Sequence, residues 1–477
     1  DEDVRTDGAY VLYWMTGTRR TNHHFGLQRA ADVAADLGVP LVVFEALRAG
    51  YRWASVRHHR FILDGMRDNE RRLRDVGVRY VPYIEREPDD GAGLLERLAE
   101  DACLVVTDDY PAFFLPRMLD AVERRLAVRL ERVDSNGLWP MRATRRVFTR
   151  AFSFRRFLQE ELPGRLSVRP LEDPLAGLDL PPPPDFGGDV RERWPGLGQG
   201  ADDVELRDIA VDQVPGTGVC EGGAKAAEKR LGAFLDAGFG AYAESRNHPD
   251  DDATSGLSPY LHYGHISPHR IFEAIAEREG WTPGDLGEAN GKRSGWWGMS
   301  EPAESFLDEL VTWRELGFNA CALRDDYDRY ESLPEWARET IEEHADDPRP
   351  EVYEMEELET ASTDDEVWNA AQRQLVSEGR LHNYLRMLWG KKIFEWTESP
   401  EEALERMIEL NNRYALDGRD PNSYSGIFWT LGRYDRAWGP ERPIYGKIRY
   451  MTSENTKRKL RMSEYLERYG PQLELAI

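Results

Sequence analysis

Cysteine is scarce in this chain, with only Cys103, Cys220 and Cys321 among 477 residues. Their positions make no metal-binding or redox spacing, which argues against a disulfide framework and for a reducing cytoplasm; no metal site is expected. Long apolar runs are missing too: none approaches the ~20 residues of a membrane span. The opening residues DEDVRTDGAY carry neither the basic nor the apolar region of a signal peptide. A soluble, unprocessed, cytoplasmic protein is therefore expected. Positive charge is also short, with 62 Lys and Arg against 87 Asp and Glu and a net charge of −25. Such a surface repels phosphate at long range and excludes non-specific adhesion to nucleic acid or anionic lipid, while leaving room for a local basic site. Much of the excess lies in runs at 342–347 and 364–366, which read as solvated surface. Finally, the first apolar run is followed by Met15, Thr16, Gly17 and Thr18, without a GxGxxG turn. The absence removes most of the support for a nicotinamide dehydrogenase.

What is present points to two domains, because 477 residues exceed a single core. Short apolar runs at 9–14, 40–44, 79–84, 104–107 and 130–133 alternate with helical patterns beginning near Asn22, Val56, Gly91 and Pro111. This predicts an α/β N-terminal domain with a five-stranded parallel, Rossmann-like sheet, whose ligands belong at the carboxyl ends of its strands. Pro- and Gly-rich sequence from 170 to 218 has little periodicity and reads as a connection. The remainder is helical, with the clearest segments at 224–241, 268–278, 303–323, 334–344, 363–376, 381–396, 400–411 and 462–469. Thr363 to Glu366 has the form of a capping box. The division is thus 1–165, a linker at 166–223, and a larger all-α domain at 224–477.

Three stretches hold chemistry that a plain core does not need. In the helix at 381–396, His382, Arg386, Trp389, Ile393 and Trp396 share one face. A guanidinium in that aromatic stripe needs a carboxylate or an electron-rich ligand, or must reach a surface acid. Thr254, Ser255, Gly256, Leu257 and Ser258 precede Pro259, so Ser258 is placed to cap a helix and the freed N–H groups can face an anion. The cluster at 142–156 interleaves arginines with Phe148, Phe152 and Phe154 and suits either phosphate contact or helix docking.

TSGLSPYLHYGHIS at 254–267, FLDELVTWRELGFN at 306–319, WNAAQ at 368–372, HNYLRMLW at 382–389, and LDGRDPNSYSGIFW with GKIRYM between 416 and 451 follow one another in a familiar order. Together they resemble the photolyase/cryptochrome family, and most closely its class II cyclobutane pyrimidine dimer photolyases. The resemblance covers nearly the whole chain. It implies FAD folded inside the helical domain, held by Tyr242, by the segment from Thr254 to Ser258 as a pyrophosphate cradle, by Asn383, and by Arg386 paired with Asp417. It sets Asn411 at flavin N5 and makes Trp389, Trp368 and Trp396 an electron-transfer chain. It implies a lesion pocket of Glu309, Trp313, Met387 and Trp429. Trp313 and Trp429 would be flat walls for the two bases, and a protonated Glu309 would donate to their carbonyls. Arg442, Lys447, Arg449, Lys457 and Arg458 belong to a basic run that suits the phosphates of UV-damaged DNA or a plain surface helix.

The implied function is light-driven splitting of pyrimidine dimers by an electron from photoexcited reduced FAD, in a monomeric enzyme. The sequence departs from class II usage at Trp429 to Asp435 (WTLGRYD), with Tyr434 notable, and in GKRSGWWGMS at 291–300. A cryptochrome-like photoreceptor is the alternative, and a (6-4) photolyase would call for a pair of pocket histidines that the sequence does not place. A deazaflavin antenna, another pigment or none is compatible with the N-terminal sheet.

Overall fold

The structure, a computed structural model, describes residues 3–472 and 475. The chain divides into two compact units: one combines the chain up to Pro140 with Arg165–Leu231 and Leu257–Ala274, the other Met141–Gly164 with Gly232–Gly256 and the chain from Ile275 on. The bounds drawn from sequence at 165 and 223 follow chain order, and this grouping does not.

The first unit is built on β1 (Tyr10–Met15), β2 (Leu41–Leu47), β3 (Arg79–Ile84), β4 (Ala102–Asp108) and β5 (Leu130–Val133), all parallel in the order β3-β2-β1-β4-β5. β1, β2 and β4 read as near-continuous apolar runs because both faces of the central strands are covered. Alternate residues feed two cores. Tyr10, Leu12, Trp14, Val42 and Phe44 enter one; Val11, Tyr13, Met15, Leu41 and Val43 enter the other, against Leu27, Ala30 and Ala34 of α1 (Phe25–Leu37). The remaining crossover helices are α2 (Val56–Asp75), α3 (Leu94–Glu100) and α4 (Leu115–Glu123). Part of the stretch read as a linker packs on this sheet, since Val190 and Trp194 join one core and Leu175 the other.

The topology puts the switch point between β1 and β4, where an anion is ordinarily expected. Here Asp108, at the end of β4, accepts from the backbone N–H groups of Thr16, Gly17 and Thr18 at 2.9 Å each and from the Tyr13 hydroxyl at 2.7 Å. The turn after β1 is closed by the protein's own carboxylate.

The second unit is helical. It includes α5 (Ala151–Glu161), α6 (Arg314–Leu323), α7 (Glu366–Glu378), α8 (Asn383–Glu395), α9 (Pro400–Tyr414) and α10 (Pro421–Trp429). Two expectations are corrected. The single helix foreseen at 303–323 is interrupted by a π-helical segment, Asp308–Trp313, between Glu301–Leu307 and α6. The cap of α7 is Asp365, whose carboxylate accepts from Trp368 N at 3.0 Å, whereas Thr363 is engaged with Asn369. Among the described residues no helix is long and apolar enough to cross a membrane.

Candidate active site

The polar centre of the helical unit lies where α8 meets the ends of α9 and α10. Arg386 Nη2 donates to both oxygens of Asp417, at 2.9 and 3.1 Å, and Nη1 donates to Asn411 Oδ1 at 3.1 Å. Asn411 is buried in the last turn of α9, its amide donating to Ser423 Oγ at 2.7 Å and to Asn412 Oδ1 at 3.2 Å. Asp417 stands in the connection to α10, which begins at Pro421 after the Asp420 cap. A forked guanidinium–carboxylate pair resolves the charge that the sequence puts in an aromatic stripe. The pair is not sealed: the side chains of Arg386 and Asp417 keep 13% and 20% exposure. Asn383, one turn earlier on α8, is exposed, while Leu385, Leu388 and Trp389 turn inward. Burial pushes the neighbouring His382 imidazole down to about 4, so it is neutral at physiological pH.

Three tryptophans gather further along: Trp389 on α8, Trp368 on α7 and Trp396 just past the end of α8. The rings of Trp389 and Trp368 are parallel to within 2° with centroids 6.5 Å apart, and Trp368 meets Trp396 edge-on at 5.5 Å. Trp368 Nε1 donates to the Trp389 carbonyl at 3.0 Å and Trp389 Nε1 to Gln372 Oε1 at 2.9 Å. These bonds fix both indoles. Beyond Trp396 lies Tyr353, 5.0 Å away and edge-on, which the sequence did not single out.

Met387 and Trp429 line a cavity of about 380 Å³ with Tyr384, Trp438, Tyr450 and Met451. That volume falls in the range of small-ligand sites. Arg442, Arg449 and Lys459 also line it, whereas Lys447, Lys457 and Arg458 do not. Lys447 pairs with Glu441 and Lys457 with Glu366, while Arg458 donates to Asn455. Trp429 has Lys391 Nζ and the Arg449 guanidinium each 5.3 Å from its ring.

Glu309 and Trp313 are absent from that lining; both stand on the π-helical segment. Glu309 is held by Arg246 at 2.5 Å, a partner that the sequence reading missed. Burial raises the Glu309 carboxyl above its usual range while Arg246 opposes the shift. Arg246 follows Tyr242 by one helical turn and its guanidinium lies 5.6 Å from that ring, so i, i+4 spacing was the available signal. π-helical segments recur at functional sites.

Thr254, Ser255 and Gly256 are half-buried, Gly256 has φ +64°, and the following helix begins at Ser258. Leu257, not Ser258, stands at its cap position, without a side-chain cap bond. The grouping into units divides this segment after Gly256. In the basic cluster, Arg155 forms a buried pair with Asp308, at 2.6 and 3.0 Å, and Arg142 donates to the Ala322 carbonyl. These arginines serve packing of α5 in the helical unit. Trp296 and Trp297 are buried, Trp281 Nε1 donating to the Trp297 carbonyl, and neither they nor Tyr434 lines the cavity. Among the described residues no cluster of His, Cys, Asp or Glu has metal-holding geometry.

No protein-family model matches the chain. The chain is 36% identical to a deoxyribodipyrimidine photo-lyase of Methanothermobacter thermautotrophicus, over 98% of this chain and 96% of that one. It is 35% identical to a deoxyribodipyrimidine photo-lyase of Oryza sativa subsp. japonica, over 96% and 87%. Among solved structures, a bacterial class III photolyase from Agrobacterium tumefaciens superposes with a TM-score of 0.70 at 17% identity, covering 97% of this chain and 86% of that one. At such identity over nearly the full length of both chains, this chain belongs to the photolyase/cryptochrome family.

Proposed function

We propose that the protein is a deoxyribodipyrimidine photo-lyase that splits cyclobutane pyrimidine dimers in UV-damaged DNA under light, acting as a cytoplasmic monomer. One observation carries the reading. A single helix, α8, bears the arginine of the half-open Arg386–Asp417–Asn411 constellation, the cavity residue Met387 beside it, and the start of the tryptophan file at Trp389. A light sensor has use for the first and third of these but none for a cavity walled by Met387 and Trp429.

The donor set fits FAD. Arg386 presents a cation that its carboxylate partner leaves partly open, and Asn411 presents a fixed amide next to it, a combination suited to an electron-rich ring. Arg386, Asp417, Asn411 and Asn383 would hold the ring portion, and Tyr242, Thr254, Ser255, Gly256, Leu257 and Ser258 the ribityl and pyrophosphate portion. Bound reduced FAD supplies light absorption and one-electron donation to the dimer. The chain's own residues do the rest. Met387 and Trp429 give an extruded pair of bases an apolar seat that excludes water. Glu309, whose carboxyl burial pushes toward the protonated form, is the polar group for the base carbonyls once the Arg246 contact is exchanged. Arg442 and Arg449 attract the flanking phosphates. The neighbouring indoles of Trp389, Trp368 and Trp396 offer a path for restoring the reduced state. If the protein carries an antenna, a deazaflavin or another pigment, it would go with the first unit, away from the turn that Asp108 closes.

The test is repair of a synthetic thymine dimer, in single- and double-stranded oligonucleotides, by purified photoreduced protein under blue light with a dark control. Recovery of thymine absorbance in the light alone is the expected result. A flavin that photoreduces without any repair would reassign the protein to the photoreceptors.

A further inference from the structure

Lys391 is a costly residue to bury. It is 1% exposed in the middle of α8, where an aliphatic side chain of the same length would fill the space without desolvating an amine. Its neighbour Lys392 is neutralised by Glu395 at 2.8 Å and Asp365 at 3.7 Å. Lys391 has no carboxylate within ion-pair distance among the described residues. Its Nζ instead donates to the Thr430 carbonyl at 2.5 Å and stands 5.3 Å from the ring of Trp429, the tryptophan that walls the candidate pocket. The Lys391 carbonyl is itself fixed by the Tyr445 hydroxyl at 2.7 Å.

We infer that Lys391 is a positioning residue for the pocket wall, holding the Trp429 indole through its ring and the adjoining Thr430 carbonyl while protonated, and thereby tying lesion capture to pH. The inference rests on the photolyase reading of this pocket. Burial brings the Lys391 ammonium down to about 7. The charged groups that face it are Asp435, which favours the ammonium, and Arg449, which opposes it. Near neutral pH the amine is therefore divided between two states, only one of which makes the cation–π contact and the charged hydrogen bond. DNA entering the neighbouring cavity brings negative charge, which favours the ammonium, so binding draws in a proton. The sign follows: affinity for the lesion is highest with Lys391 charged and falls as pH rises from the free protein's titration point toward that of the complex.

The measurement is dark binding by flavin-loaded protein of an oligonucleotide bearing one thymine dimer, and of its undamaged twin, by fluorescence anisotropy between about pH 6 and about pH 9. Calorimetry in two buffers of different ionisation enthalpy counts the protons taken up, and ¹⁵N resonances of the lysine amines follow Lys391 directly. Preference for the dimer should fall roughly three- to tenfold across the range in the native protein, with proton uptake near neutral pH. In Lys391→Met, of similar length but uncharged, the preference should be lower at the acid end and flat. If that variant does not fold, the native amine titration and proton uptake decide alone. A native preference that ignores pH without proton uptake, or a Lys391→Met protein that keeps the native profile, overturns the inference and leaves the photolyase reading standing. No preference for the dimer at any pH overturns that reading first, and the inference with it.

Discussion

The turn after β1 and the polar face of α8 each gather donors and acceptors around one ionised side chain, with opposite outcomes. Asp108 is 2% exposed and takes three backbone N–H groups and a hydroxyl. Burial works against its charge, but His24, the Thr18 N–H and the Tyr13 hydroxyl outweigh it and hold the carboxyl below its ordinary range. Arg386 is forked onto one carboxylate and one amide, leaving Nε and one Nη1 hydrogen without a protein partner among the described residues. A cluster that satisfies itself is architecture; one that stops short has capacity for a ligand. By that criterion the place where parallel α/β topology leads one to look for a phosphate is closed, while the open cluster around Arg386 lies in the helical unit.

The contrast is broken most forcefully by removing the two central charges in turn. Asp108→Ala strands three N–H groups, those of Thr16 and Thr18 buried and that of Gly17 partly so, and should lower the unfolding free energy by about 3–5 kcal/mol in urea titrations. Arg386→Gln should cost less than about 1 kcal/mol, because its site is already part open, yet reduce flavin retained through purification at least tenfold, read from visible absorbance. Equal stability losses with unchanged flavin would erase the distinction drawn here.

The sequence made one of these clusters readable and hid the other. The five strands stand out because buried parallel strands are apolar runs bounded by turns, and Arg386 stands out because a guanidinium in an aromatic stripe demands an answer. Asp108 did not, because the turn it closes lies about 90 residues earlier and a carboxylate at a strand end looks like any other. The π-helical segment was invisible for a related reason. A local change of hydrogen-bond register leaves apolar periodicity nearly intact, so Glu309 and Trp313 were read on an ordinary helix. The pairing of Arg246 with Glu309 is obscured because contact across helices leaves no trace in sequence spacing, although the i, i+4 relation of Arg246 to Tyr242 is there to be read; the cap of α7 is obscured because Thr363 and Asp365 are both good caps.

Acid sharpens the comparison at intermediate cost. The sheet unit buries neutral histidines: burial lowers His265 to about 3 and His269 to about 4, and lowers His24 despite the carboxylate of Asp108. A folded-state value below the unfolded 6.5 means that the unfolded chain binds protons first. Stability is then complete above about pH 6.5 and drains away as pH falls toward the folded values. At pH 5.5 His265 and His269 should each remove about 1.4 kcal/mol relative to pH 7.5. Urea unfolding at the two pH values measures the sum, and His265→Leu should flatten the dependence by one histidine's share. A curve indifferent to pH over that range would mean these imidazoles are not buried as the sheet unit places them.

The smallest effect separates cations that serve a cavity from cations that serve the fold. Lys457 is exposed and already joined to Glu366 at 2.7 Å, so the pair is close to neutral and stands outside the cavity lining. Arg442 is exposed, lines the cavity, and rests 5.5 Å from the Tyr450 ring with no carboxylate within ion-pair distance among the described residues. In a protein with net charge −25, an uncompensated cation of this kind is the strongest attractor of DNA phosphate. Arg442→Gln should weaken binding of a dimer-containing oligonucleotide by roughly three- to tenfold and reduce the slope of log affinity against log salt by about one. Lys457→Gln should change affinity less than about twofold, because the released Glu366 charge offsets little that was available to phosphate. Equal salt slopes for the two variants would place the nucleic-acid track along the whole basic run rather than at the cavity mouth.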